Sequence, residues 1–337
     1  NANAIIPFSG IVNTNIFIED GKIKALEKTI GNVSADMIIN AKNRYILPGV
    51  IDPHVHYGVY TPIDNAAITE STSAATGGVT TIMRMVRLEG SYRKIVNHLD
   101  VSKDTHITDY GIHASILEPE QINDMSYLKS IGINSFKIYM NLGSHLKKIL
   151  ADLDPGSSSL KEIEVDMTDK LLTEIIKVGS SLNSIILVHA EDPEVCSRNI
   201  QEVRNKYEQV NSNILKLWSS LRPEASEVSS IRKIMKIALN YEPNLYFVHI
   251  GSSEALREIH RHKRLHKNLR IWIETCPHYL THSTDFDDIK GKVVPPLRSK
   301  NNLEKLWNAI KSGIIDTIGT DHVANELKRK KAEGNFW

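Results

Sequence analysis

Eight short apolar runs, separated by longer and more polar stretches, constrain this chain more than any other feature. They are Val50–His56, Val79–Met85, Tyr110–Ile116, Ser135–Met140, Ile185–His189, Tyr246–Ile250, Arg270–Thr275 and Thr317–Asp321. Between them lie amphipathic segments such as Met167–Val178 and Leu303–Ser312. In the first of these, Leu171, Leu172, Ile175 and Ile176 recur at helical spacing. This α/β alternation favours a TIM (β/α)8 barrel over an open doubly wound sheet. No GxGxxG follows an early strand, and Gly77-Gly78 precedes its strand, the wrong side for a dinucleotide loop. Residues 1–46 read differently. Ile16–Ile18, Lys22–Leu26 after a hairpin-like Asp20-Gly21, Met37–Ile39 and Tyr45–Leu47 form a small β piece ahead of a main domain over residues 47–337.

Composition narrows the partners. The 337 residues carry 41 basic and 40 acidic side chains, a net charge of +1. That balance argues against nucleic acid or an anionic membrane as a partner chosen by bulk charge. No apolar run approaches the roughly 20 residues that a membrane helix needs. Cys196 and Cys276 stand far apart without a CxxC, which fits a reducing compartment, the cytoplasm by default. The chain starts at Asn1 without a Met and stops at Trp337 in mid-pattern, as a fragment would. Leu256–Arg270 is rich in Arg, Lys and His and reads as a solvated helix face. Lys328–Lys331 reads as an exposed loop.

Polar residues at strand ends carry the chemistry. In a βα barrel the carboxyl ends of the strands converge on one mouth. His54 and His56 lie two apart at the end of strand one, so both imidazoles face the same side. Strand four places Lys137 in an apolar run, strands five and six carry His189 and His249, and strand eight ends in Asp321. Each residue alone has a bland reading. A barrel lysine can pair with a carboxylate, a histidine can be a satisfied core donor, and an aspartate can cap a helix. Together they favour a divalent metal site, since imidazole and carboxylate are common zinc ligands.

At this point the residues resemble the cyclic amidohydrolases: hydantoinase or dihydropyrimidinase, allantoinase and dihydroorotase. The stretches that carry the resemblance are Pro48–His56, Ser135-Phe136-Lys137, Val188–Glu191, Val248-His249, Glu274–Leu280, Pro295–Arg298 and Thr320–His322. The resemblance runs from about residue 10 to the end of the sequence. It implies a TIM barrel with a small β-sandwich built from both termini, residues 1–46 forming the first half and the second half lying beyond Trp337. It further implies two divalent ions, zinc foremost. His54 and His56 would hold one and His189 and His249 the other. Lys137, carboxylated by CO2, would bridge them. Asp321 would complete the first site and shuttle the proton as the catalytic residue. The implied reaction is hydrolytic ring opening of a cyclic ureide or imide, by a homo-oligomer (dimer or tetramer).

Substrate signals are mixed. Gly58 stands where dihydroorotases typically carry a carboxylate-binding Arg, and Arg87 stands where they use an Asn. Leu142 replaces the Tyr that hydantoinases usually place five residues after the bridging Lys, although Tyr139 lies nearby. Glu274–Leu280 resembles allantoinase. Arg87, Tyr139 and His278 are the candidate substrate contacts. Hydantoinase or dihydropyrimidinase activity ranks first, with allantoinase or dihydroorotase activity as the alternative. A non-catalytic scaffold relative would have lost ligands, and here every ligand type is present.

Overall fold

Alternate residues of a strand point to opposite faces, so alternation along each apolar run decides what fills the inside of a barrel and what faces its helices. The computed structural model describes residues 2–29, 31, 34–42, 44–204, 213–286 and 288–331. Its central sheet is parallel throughout. Val50–His56 pairs with Val79–Val86, and pairing continues through Asp109–Ser115, Ser135–Tyr139, Ile185–His189, Asn244–Phe247 and Arg270–Thr275 to Thr317–Ile318. His322–Val323 then pairs with Val55 and His56, which closes a TIM (β/α)8 barrel. Met85, Leu187, Tyr246 and Val248, with Ile185 and Trp272 against them, form one inner layer. The opposite faces of the same strands, among them Phe136, Ile138, Val188, Phe247 and Ile273, pack against the helices. Asp169–Ser181 is typical. Thr168 caps it by accepting from Leu171 N, and its predicted apolar face, Leu171, Leu172, Ile175 and Ile176, is buried.

Two strands are shorter than the apolar runs suggest, both near the barrel mouth. Strand six ends at Phe247, and His249 has φ +43°. Strand eight stops at Ile318 and resumes at His322, with Asp321 at φ +50° between the two pieces. Left-handed backbone ends regular pairing, and His and Asp tolerate it better than most residues. Asp52 of strand one spans the break in strand eight. Its Oδ1 accepts from Thr320 N at 3.0 Å and from His54 N at 3.2 Å, and its Oδ2 accepts from the Thr320 hydroxyl at 2.5 Å.

Residues 1–46 supply a separate sheet in the order Lys22–Glu27, Gly10–Glu19, Ala2–Ile6, Tyr45–Ile46. Asp20 and Gly21 both have positive φ, as a tight hairpin turn needs. Met37–Ile39, expected as a β-type run, forms no strand and is exposed, because no neighbouring strand pairs with it among the described residues. Lys328 lies in a short helix, Leu327–Lys331, rather than in a loop. The basic stretch forms the helix Ser253–Leu265, on which Arg257 pairs with Glu254, Arg261 with Glu258, and Lys263 with Asp316, as a solvated face should. Residues 332–337, on which the expected truncation falls, lie outside the described residues. Among the described residues no helix is long and apolar enough to cross a membrane.

Candidate metal centre

Strand parity brings the ligand candidates inward. Ser135, Lys137 and Tyr139 share one face of strand four, while Phe136 and Ile138 go to the helix side. His54 and His56 share the inner face of strand one. His249 is different, because Tyr246 and Val248 already face inward and strict alternation would turn it away. Its left-handed backbone brings the ring back to the axis. The rings then form a continuous group. Centroids are 5.1 Å apart for His54 and His56, 5.5 Å for His54 and His249, and 4.5 Å for His249 and His189. Tyr139 lies 6.2 Å from His189, and Lys137 Nζ is 5.3 Å from the centre of the Tyr139 ring.

The sharpest geometry is a triangle. His54 Nε2 and His56 Nε2 are 3.2 Å apart, and each is 3.2 Å from Asp321 Oδ1. Ligands about 2.0–2.1 Å from a tetrahedral zinc ion lie about 3.3 Å from one another, so the spacing suits such an ion. The ring orientations agree. His54 gives its Nδ1 edge to Glu274 Oε1 at 2.8 Å, which leaves Nε2 turned toward His56 and Asp321. Burial pushes His56 down to about 3, so its imidazole is neutral at ordinary pH. Burial opposes ionisation of Asp321, but His54 and its neighbours outweigh it and hold the carboxyl well below the usual range. Three potential ligand atoms therefore face one point, an arrangement that a cation stabilises. His54, His56 and Asp321 could hold a metal ion.

Lys137 fits the same picture. It is fully buried, and its Nζ has no hydrogen-bond partner. Burial pulls its amine down to about 8, against the pull of Asp321 and Glu274. His249 Nδ1 is likewise buried without a partner, and burial holds this ring well below the usual imidazole range. His189 gives its Nε2 edge to Glu191 at 2.7 Å, leaving Nδ1 for an ion. The donor set, four imidazoles, a carboxylate and a lysine whose hold on its proton burial weakens, suits divalent ions.

Two candidate substrate contacts also reach the mouth. Arg87 follows strand two, with its Nε 3.8 Å from Asp152 Oδ1 and its charge acting on His56, Lys137 and Tyr139. Tyr139 is buried beside His189. His278 lies on the short helix Pro277–Thr281 beyond strand seven, its ring 4.2 Å from that of Tyr279. Leu142 is buried with Tyr139 and Leu117, so it contributes packing where a hydroxyl was sought.

Sequence reasoning passed over the carboxylates behind the ligands. Glu191 accepts a fork from Arg222, at 3.0 Å from Nε and 2.7 Å from Nη2. Glu274 supports His54. Each was legible as an acidic residue at the end of an apolar run, two positions beyond a residue that faces the barrel axis.

No family model matches the chain. It is 27% identical over 344 residues to a D-hydantoinase of Ralstonia pickettii, which spans 98% of this chain and 69% of that one. It is also 27% identical to a dihydroorotase of Methanosphaera stadtmanae, over 95% of this chain and 68% of the other. Both relatives are cyclic amidohydrolases by name, and the chain is similar to them along almost its whole length. The structure of an L-hydantoinase (dihydropyrimidinase) from Arthrobacter aurescens superposes with a TM-score of 0.83, covering 98% of this chain and 70% of that one at 23% identity.

The structure gives a physical reason for glycine at position 58. Arg84 is buried at this position, its Nε donating to Tyr57 O at 2.9 Å and its Nη2 paired with Asp152 at 2.5 Å. A Cβ on Gly58 would lie 2.3 Å from Arg84 Nη2, and Gly58 has φ +99°. Gly58→Ala should therefore cost about 2–4 kcal/mol, from backbone strain and a displaced buried ion pair. A denaturant melt with an unchanged midpoint would contradict this.

Proposed function

We propose that this chain hydrolyses an uncharged cyclic amide or imide, opening its ring as hydantoinases and dihydropyrimidinases do. The observation that carries the reading is the convergence of four histidines, Asp321 and a buried unpartnered lysine on one barrel mouth. In this reading His54, His56 and Asp321 would hold one divalent ion, zinc foremost, and His189 and His249 a second. Lys137 would join them as a carbamate, formed when the unprotonated fraction of its amine bonds to CO2 and releases a proton. The lowered affinity of the buried amine for its proton supports that step. Bound ions supply an activated water and polarise the scissile carbonyl. Asp321 lies at the water-accessible edge, its side chain 16% exposed. It takes the water's proton and passes it to the leaving ring nitrogen.

Two finer statements complete the reading. The resemblance supports a homo-oligomer, and the exposed Ile11, Ile18 and Ile23 of the N-terminal sheet are apolar surface available for burial in one. Free, buried Cys196 and Cys276 support a cytoplasmic setting.

Arg87 favours a second reading, in which the substrate bears a carboxylate as dihydroorotate does. Against it, Asp152 shares Arg87's charge at 3.8 Å, and Gly58 offers no second cation.

Two measurements test these statements. Asp321→Asn should fold and lose about 10²-fold or more in turnover, the usual scale for removing a general acid–base group. Near-normal turnover would place the base elsewhere. For the substrate, kcat/KM should be highest with hydantoin or dihydrouracil, followed by allantoin, and low with dihydroorotate. If dihydroorotate turns over fastest and Arg87→Ala abolishes that preference, the second reading replaces the first.

A further inference from the structure

We infer that Glu274 is a positioning residue that sets both ion sites at once, through a single carboxylate. The inference rests on the dinuclear reading above and adds to it a residue that neither site counts as a ligand. Glu274 is fully buried on strand seven, on the same inward face as Trp272. Its Oε1 accepts from His54 Nδ1 at 2.8 Å and from the backbone N–H of His249 at 3.0 Å. Its Oε2 accepts from the Tyr246 hydroxyl at 2.7 Å.

The two contacts of Oε1 do different things. The contact with His54 selects the Nδ1–H tautomer, so that Nε2 presents its lone pair to His56 and Asp321. The contact with His249 satisfies a backbone N–H at the residue whose left-handed φ turns its ring toward the axis. One oxygen thus holds a side chain of the first site and the backbone of the second. Space for the carboxylate is reserved on strand eight. A Cβ on Gly319 would lie 2.7 Å from Glu274 Oε2 and 2.9 Å from His54 Cβ. Glu191 provides the contrast, since among the ligand candidates it touches His189 alone.

The test uses metal-free protein titrated with Co2+, followed by calorimetry and by the visible absorption of the bound ion. The unmodified protein should take up two ions per chain. Glu274→Gln is nearly isosteric, and it should weaken both ions by about 10–100-fold and shift the cobalt absorption of both. Glu191→Gln should weaken one ion only. Tyr246→Phe keeps the carboxylate and removes one donor to it, and should weaken both ions by less than Glu274→Gln. Two ions bound by Glu274→Gln with unmodified affinity, or the loss of only one, would overturn the inference. If Glu274→Gln fails to fold, unchanged binding in Tyr246→Phe would overturn it and joint weakening would support it. Fewer than two ions on the unmodified protein would instead bring down the dinuclear reading itself.

Discussion

His54 Nε2, His56 Nε2 and Asp321 Oδ1 lie within 3.2 Å of one another at the mouth of the barrel. All three can serve as ligand atoms, and a positive charge between them makes the arrangement favourable. Much of the nearby structure holds them in place. Asp52 ties Thr320, and with it the loop that carries Asp321, to strand one. Glu274 holds His54 from behind. The neighbouring layer of Met85, Leu187, Tyr246 and Val248 keeps the strands at fixed spacing beside the polar group.

Holding the site carries a cost in backbone conformation. His249 and Asp321 both sit in left-handed backbone, a conformation that costs of order 1–3 kcal/mol for a non-glycine residue. Both are ligand candidates, and in both the break in regular strand geometry coincides with the ligand position. A straight strand six would bury His249 on the helix side. The convergence of His249 and Asp321 on the mouth is gained where regular pairing is given up, and the side-chain bonds of Glu274 and Asp52 replace part of what the ladder loses.

The barrel and the identity of its ligand candidates were legible because both depend on local pattern. Apolar alternation marks a strand, and Lys137 inside such a run is conspicuous. His54 and His56 declare a shared face by spacing alone. What stayed hidden depends on contacts between distant residues. Nothing near Gly58 in sequence announces that Arg84 fills the adjoining space. Strict alternation misdirects His249, since the bond that rewards its kink comes from Glu274 on the next strand. Met37–Ile39 has strand composition but no partner strand, and propensity without pairing does not make a strand. Glu274 stands in the sequence only as part of the stretch Glu274–Leu280, and its place behind His54 emerges where three donors meet on it.

The central claim is that Lys137, through a carbamate, joins two ions held by the histidines. Anomalous diffraction at the zinc edge from crystals of the protein grown with zinc and bicarbonate tests it directly. The account predicts two peaks, one beside His54, His56 and Asp321 and one beside His189 and His249, with added density on Lys137 Nζ between them. A single peak, or two peaks flanking a bare amine, would contradict it.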